Sequence, residues 1–482
     1  MKGMANGIDK NALGRGGIGD RRRFLVGAGA SMVLGPVVLG GCANLARTSQ
    51  DMHSGQDVRL GISAPNLAPK PDYHMQLAMS KIDIADDHTV ETLTVNDMVP
   101  GPLLRFKEGK RTTVQVTNNT HRDEVIHWHG LFLPSDVDGA PQQGSPMIPP
   151  GGSLSYTFIP EPSGTRWYHS HAGSDGDFRQ GTYSGLNGIV YIEPKNDPGR
   201  YDREVFLAIH SWGTEIIANK TVDHATTFNG RKLGHGEPIR VREGERVMFR
   251  ILNSGPSMGR RISLSGHVFK VVAMDGNPVP DPIMLERINL APGERIDALV
   301  EMNNPGKWIF GDYVKAHRDQ GAGIIVEYAN ATGEALWVPP ADTQWNLCDF
   351  TKGTTRFTPD HIYDMHFAEI QAPDGQLNRW TINGRSFPDM DNFMLEEGKR
   401  YRLIFHNPTS DIHPMHIHRH TFEVTHYMGQ YTSGLMKDVV SIVPNQSVSV
   451  DFMADAPGLT LFHCHMTSHM ENGFMALFEY KT

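Results

Sequence analysis

The chain has 482 residues, a net charge of −9 and no long basic run, which argues against a nucleic-acid partner. That length exceeds one hydrophobic core and implies two to four domains. Three cysteines exclude a disulfide framework, and 50 glycines with 31 prolines fit many turns between short strands.

Residues 1–45 read as a targeting segment rather than as fold. Arg21-Arg22-Arg23-Phe24-Leu25 is a twin-arginine signal, and the apolar stretch from Val26 to Leu39 is too short and glycine-rich to span a membrane comfortably. Twin-arginine export moves proteins already folded, which suits a metalloenzyme. Leu39-Gly40-Gly41-Cys42 resembles a lipobox, which would leave a lipid on Cys42 as the one membrane contact. The alternative is ordinary cleavage nearby with loss of Cys42. Either route ends in the periplasm or outside the cell.

Beyond the signal, one unit recurs three times. Glu108-Gly109-Lys110-Arg111, Glu243-Gly244-Glu245-Arg246 and Glu397-Gly398-Lys399-Arg400 each lead into a strand-like alternation ending at Asn118, Asn253 and Asn407. The copies start 135 and 154 residues apart, a domain-sized period. The expected organisation is three β domains at 55–197, 198–340 and 341–482, with the turn-rich stretch from Thr332 to Asp360 as linker. Scarce helical periodicity and many short strands favour Greek-key sandwiches or barrels.

The chemistry-bearing residues come in pairs at i, i+2. His127 and His129 are the first pair, His169 and His171 the second, and His416 and His418 the third, with His413 three residues upstream. The fourth is His463-Cys464-His465, followed by His469. Side chains alternate along a strand, so His463 and His465 face one way and Cys464 the other. Such a strand holds a thiolate-bound metal on one face and imidazole-bound metals on the other. A His2Cys set with a weak axial position is the blue-copper pattern, and electron transfer between copper sites is the leading use of the arrangement.

The second and third copies match further. His267-Val268-Phe269 parallels His420-Thr421-Phe422, so His413, His416 and His418 fall on Arg260, Ser263 and Ser265. The middle domain therefore lacks the ligands and is expected to act as spacer and wall between the first and last. His267 and His420 read as structural.

In these four motifs, and in their order, the chain resembles the multicopper oxidases, the family of laccases, cuprous oxidases and copper-resistance oxidases. The resemblance covers nearly everything after the signal and implies three cupredoxin domains holding four coppers. By that resemblance, His413, Cys464 and His469 take the type 1 copper. His127 and His416 take the type 2 copper, and His129, His169, His171, His418, His463 and His465 the type 3 pair. Other histidines such as His74, His210 and His366 need no metal role. Donor electrons would enter at the edge of His469 and pass through Cys464 to His463 or His465, a metal-to-metal gap on the order of 10 Å. There O2 would be reduced to water.

Two positions depart from the family pattern. Phe474, ten after Cys464, stands where many bacterial members carry a methionine, so no axial sulfur ligand is expected; Met475 would point to the other side of a strand. Met470 follows His469 where several relatives have an acid, and Glu471 is the candidate substitute. Asp138, nine after His129, is the other expected acid, read as a proton donor rather than as a simple Asp-Gly turn. Arg419 has no explanation from sequence, and Cys348 reads as a buried free thiol.

The leading function is a laccase-like oxidase of phenols or similar small donors. The runner-up is a metallo-oxidase that protects against Cu(I), although the 23 methionines form no tight cluster. A non-catalytic envelope protein on this fold would have lost ligands. A copper nitrite reductase would lack the histidine-cysteine-histidine bridge.

Overall fold

The computed structural model describes residues 70–481 apart from 197, 198, 352, 354 and 374. The twin-arginine stretch and Cys42 lie outside the described residues. Among the described residues no helix is long and apolar enough to cross a membrane.

Three stretches each fold into two main β-sheets, and the middle one adds a two-stranded hairpin, Glu215–Ile217 with Lys220–Val222. The first has two four-stranded sheets, while the middle and last each have a six-stranded and a five-stranded sheet. The middle and last copies follow the same strand order throughout. Each mixes antiparallel pairs with a parallel one, as where Val247–Asn253 runs beside Arg203–Ile209 and Tyr401–His406 beside His361–His366. The inward faces carry the core. In the middle copy Val247, Phe249 and Ile251 pack with Phe310, and in the last Leu403 and Phe405 pack with Phe462.

The repeated motif has a structural reason. Gly109, Gly244 and Gly398 all sit at positive φ (75°, 82° and 77°), where a side chain would be strained. The asparagine closing each copy is a buried cross-brace. Asn118 Nδ2 donates to the carbonyls of Arg122 and Ile148, Asn253 to those of Met258 and Leu290, and Asn407 to those of Asp411 and Ile442. Each brace ties the end of a core strand to two neighbouring segments, so that buried backbone acceptors are satisfied.

Two strand positions matter for function. Ile126–His129, Arg260–Leu264 and His413–Ile417 occupy one position in the three copies. Gly164–Ser170, Lys307–Asp312 and Thr460–Cys464 occupy the strand beside it. His127 pairs with His169, and His416 with His463. By the same register Ser170 takes the place of Cys464, and His-Ser-His in the first copy parallels His-Cys-His in the last. Among the described residues of 332–360 the one helical element is a short turn at Leu347–Phe350, whose Cys348 is half-buried rather than fully enclosed.

Candidate metal centre

Eight imidazoles gather where the first and last copies meet. His171, His418 and His463 form a near-equilateral set with ring centroids 5.0–5.2 Å apart. His129, His169 and His465 form another at 5.1–5.8 Å. His127 and His416 lie 5.9 Å apart, each stacked on a member of one set: His127 on His418 at 3.9 Å and His416 on His129 at 3.8 Å. The strand pairing of each motif thus splits its two histidines between different sets.

The hydrogen bonds show which ring nitrogens are committed. Nδ1 of His127 bonds to the Asp138 carbonyl, of His169 to that of Ser170, of His416 to that of Asp438 and of His463 to that of Cys464. Nδ1 of His418 bonds to the Asp138 carboxylate at 2.8 Å. A carbonyl only accepts, so these rings donate from Nδ1 and carry a lone pair on Nε2. His129 is reversed. Its Nε2 bonds to Asp438 Oδ1 at 3.0 Å, leaving Nδ1. The freed nitrogens of His127, His129, His169, His416 and His465 are buried without a partner, and both ring nitrogens of His171 are too. His418 Nε2 and His463 Nε2 face each other at 3.0 Å, lone pair to lone pair. So many inward acceptors without a donor fit metal cations and fit little else. Burial and the neighbouring imidazoles hold six of these rings well below the ordinary histidine range, and burial brings His463 down to about 4, so all seven are neutral and ready to ligate.

The carboxylates around the cluster link the copies. Asp138 Oδ2 also accepts from Gln143 Nε2 at 2.6 Å, and Gln143 Oε1 accepts from Leu461 N, just ahead of the His-Cys-His segment. Asp438 is gripped by two arginines. Arg295 of the middle copy forms a fork on it at 2.7 and 2.6 Å, and Arg166 of the first lies 3.4 Å away. Asp275, also of the middle copy, accepts from the amides of Asp438 and Val439 and from Lys437. The spacer domain thus reaches the cluster through the groups that orient His129 and His416.

On the opposite face of the last strand, Cys464 Sγ lies 3.9 Å from His413 Nδ1 and 3.7 Å from His469 Nδ1. The two imidazole nitrogens are 3.2 Å apart. Thr409 Oγ1 meets His413 Nε2 at 2.8 Å and so fixes which nitrogen is presented. Burial lowers His413 to about 2, helped by His469, and lowers His469 to about 3, helped by Lys220. Burial also raises the Cys464 thiol, so the thiolate needs an adjacent metal charge. The third side is aromatic. Phe474 and Trp380 stand 4.8 Å from the His413 ring, and Trp380 lies 4.1 Å from that of His469. Phe474 shares a core with Cys464, whereas Met475 packs with Ala140, Leu461 and Met470 elsewhere.

Outside this site lies a cavity of about 710 Å³ between the middle and last copies, lined by His469, Trp380 and Met466 among others. A middle-copy hairpin, Glu215–Ile217 and Lys220–Val222, touches the last copy beside it. Lys220 pairs with Asp411, whose carboxylate is 3.8 Å from His469 Nε2, and Asn219 donates to the Ala372 carbonyl. Glu471 turns toward the first copy, accepting from Ser174 N and Oγ at 2.6 Å each. Arg419 is a buried clamp at positive φ that donates to the carbonyls of Leu133, Pro457 and Leu459. Sequence reasoning missed Gln143, Arg295 and Asp438, because none sits in a metal-ligand motif.

Two fold layers, two metal-sized sites on opposite faces of one strand and an adjoining cavity describe a copper oxidase of the cupredoxin type. The Multicopper oxidase family models match residues 76–197, 208–330 and 360–482, and the chain belongs to that family, whose cofactor is copper at type 1, type 2 and type 3 sites. It is 28% identical to Multicopper oxidase MmcO of Mycobacterium tuberculosis over 98% of each chain. Among solved structures it is similar to Fet3p, a multicopper oxidase that functions in iron import (TM-score 0.74, 19% identity, 85% of this chain and 90% of that one). It is also similar to the laccase of Botrytis aclada (TM-score 0.69, 22% identity, 84% and 87%). At those identities the structural likeness speaks for the fold.

Proposed function

We propose that the protein is an exported, laccase-like oxidase that takes single electrons from phenolic or similar small donors and passes them to O2. In this reading His413, Cys464 and His469 hold the type 1 copper, and His127 and His416 the type 2 copper. His171, His418 and His463 hold one type 3 copper, and His129, His169 and His465 the other. Copper bound there would supply one-electron acceptance at the first site and four-electron reduction of O2 to water at the second. The domain limits near residues 197 and 340 and export by the twin-arginine route belong to the same reading.

The observation that carries it is the two-faced His463-Cys464-His465 segment. Its thiol converges with His413 and His469, while its two imidazoles join two separate histidine sets. Each covalent path between the two sites therefore crosses two adjacent residues, Cys464 and either His463 or His465. The protein's own residues do the rest. Trp380 and Phe474 keep water from the thiol. Asp138, bonded to His418 and close to His127, is placed to hold and deliver a proton beside the type 2 position. Phe474 leaves no axial sulfur, which favours a high potential.

The cavity beside His469 favours an organic donor. Its volume suits a small aromatic, and its methionines, Met258, Met274 and Met466, are spread among other residue types. The test is O2 uptake with a phenol and with Cu(I), each with copper in excess. A kcat/KM higher for the phenol supports the reading. A preference for Cu(I) would replace it with the metallo-oxidase.

A further inference from the structure

The middle copy keeps a positional replica of the type 1 site in which two of the three ligands are exchanged and the helix histidine is kept. Ile262 pairs with Asp312 as Met415 pairs with Cys464, so Asp312 stands where the cysteine does. Arg260 opens its strand as His413 opens the equivalent one. A five-residue helix follows each second strand, Lys315–Asp319 in one copy and Thr467–Glu471 in the other. The third residue of the first is His317 and that of the second is His469. Ala322 falls at the position of Phe474.

This replica is not a metal site, because a fixed guanidinium has taken a ligand's place. It is polar and incompletely satisfied. Arg260 is 2% exposed, donates to Ser211 Oγ at 2.7 Å and leans on Met258 Sδ, while its Nε has no partner. No carboxylate lies within 4 Å of it among the described ion pairs; Asp223 and Asp312 act on it only from further away. His317 Nδ1 is 3.1 Å from Asp312 Oδ2. Arg260 and His317 line the same cavity as His469, as do Ser257 and Ser441, whose hydroxyls are buried without a partner. Of the cavity's other charges, Lys220 pairs with Asp411, Lys437 with Asp275 and Glu294, and Glu369 accepts from Asn378, while Arg261 lines the cavity from an exposed position and Arg260 is the buried cation left over.

The geometry points to a second role for this relic: it docks the carboxylate of an aromatic reductant whose oxidisable ring reaches His469 in the same cavity. A buried guanidinium without a paired anion and hydroxyls without acceptors match a carboxylate's two oxygens. The inference rests on the proposed oxidase reading and narrows its substrates to aromatic acids.

The test compares a methoxyphenol bearing a carboxylate with its methyl ester, on the copper-loaded enzyme and on Arg260→Met and His317→Gln. Arg260→Met is expected to raise KM for the acid about tenfold and leave the ester's KM and both kcat values unchanged. Calorimetric binding of a non-oxidisable methoxybenzoate should weaken in parallel. Arg260→Lys, which keeps the charge and guards against misfolding of the methionine variant, should recover part of the loss. Equal effects on acid and ester, or none on either, would overturn the docking role. A wild-type enzyme that holds copper and oxidises neither donor would instead overturn the oxidase reading.

Discussion

Replacing Arg295 by methionine tests how far the middle domain governs a cluster to which it contributes no ligand. Arg295 is fully buried. It grips both oxygens of Asp438 and donates to the carbonyls of Thr165, Asp275 and Gly293. Methionine keeps an unbranched apolar stem, though a shorter one, and removes every donor. Asp438 then keeps Arg166 at 3.4 Å as its remaining cationic partner, against 2.6 Å now. Breaking a buried pair from one side costs about 3–5 kcal/mol. Asp438 also receives His129 Nε2–H and, through its carbonyl, His416 Nδ1–H. Loosening an outer partner of this kind lowers metal affinity about 10–100-fold. The assay is copper retained against a chelator, read with the absorption spectrum and the melting temperature. The variant should lose cluster copper and the near-ultraviolet shoulder while the visible thiolate band persists. Arg250→Met is the control, since Arg250 forms a buried pair with Asp297 and a partly buried one with Glu204 in the same domain. It should lower the melting temperature and leave the cluster spectrum alone. If Arg295→Met merely melts earlier, with copper retention equal to the control, the clamp is structural and the reasoning fails.

Asp138→Asn should slow reoxidation by O2 by about 10²–10⁴-fold while anaerobic reduction of the thiolate-bound copper keeps its rate; unchanged reoxidation removes the proton role. Phe474→Met, close to volume-conserving, should cost under about 1.5 kcal/mol and lower the type 1 potential by adding a thioether; a potential that rises or stays fixed would refute the axial assignment. Burial holds His210 near pH 4, down from the ordinary 6.5, with the Ser254 carbonyl as a hydrogen-bond partner. Its folded pKa is depressed, so the unfolded chain takes the proton first and stability falls as pH drops from about 6.5 to about 4, by up to about 3 kcal/mol. Denaturant titrations of the wild type and His210→Gln at both ends of that window should differ by this amount, and parallel curves would contradict it.

What the sequence made legible was what periodicity and spacing carry. The i, i+2 histidine pairs fixed which side chains share a strand face, and the glycine-to-asparagine repeat disclosed three copies, because a positive-φ turn and a cross-brace demand those residue types. The match of His267 to His420 placed Arg260 opposite His413. It did not extend to His317 and His469, since the intervening strands share a fold position and little sequence. The outer partners were also invisible. Asp438 and Arg295 are 143 residues apart, and nothing in either one's neighbourhood announces the other. Arg419 looked arbitrary because its acceptors are backbone carbonyls, which carry no sequence signature. Met475 and Phe474 are adjacent, so only alternation about the strand separated them, and they now lie in different cores.

In the proposed oxidase Cys464 joins one copper to a separate cluster of three. Copper content and absorption of the purified wild type beside Cys464→Ser test it most directly. The wild type should hold four coppers per chain with an intense visible band, and the variant three, with no visible band but an intact near-ultraviolet shoulder. A colourless wild type, or a variant that loses all of its copper or none, would contradict it.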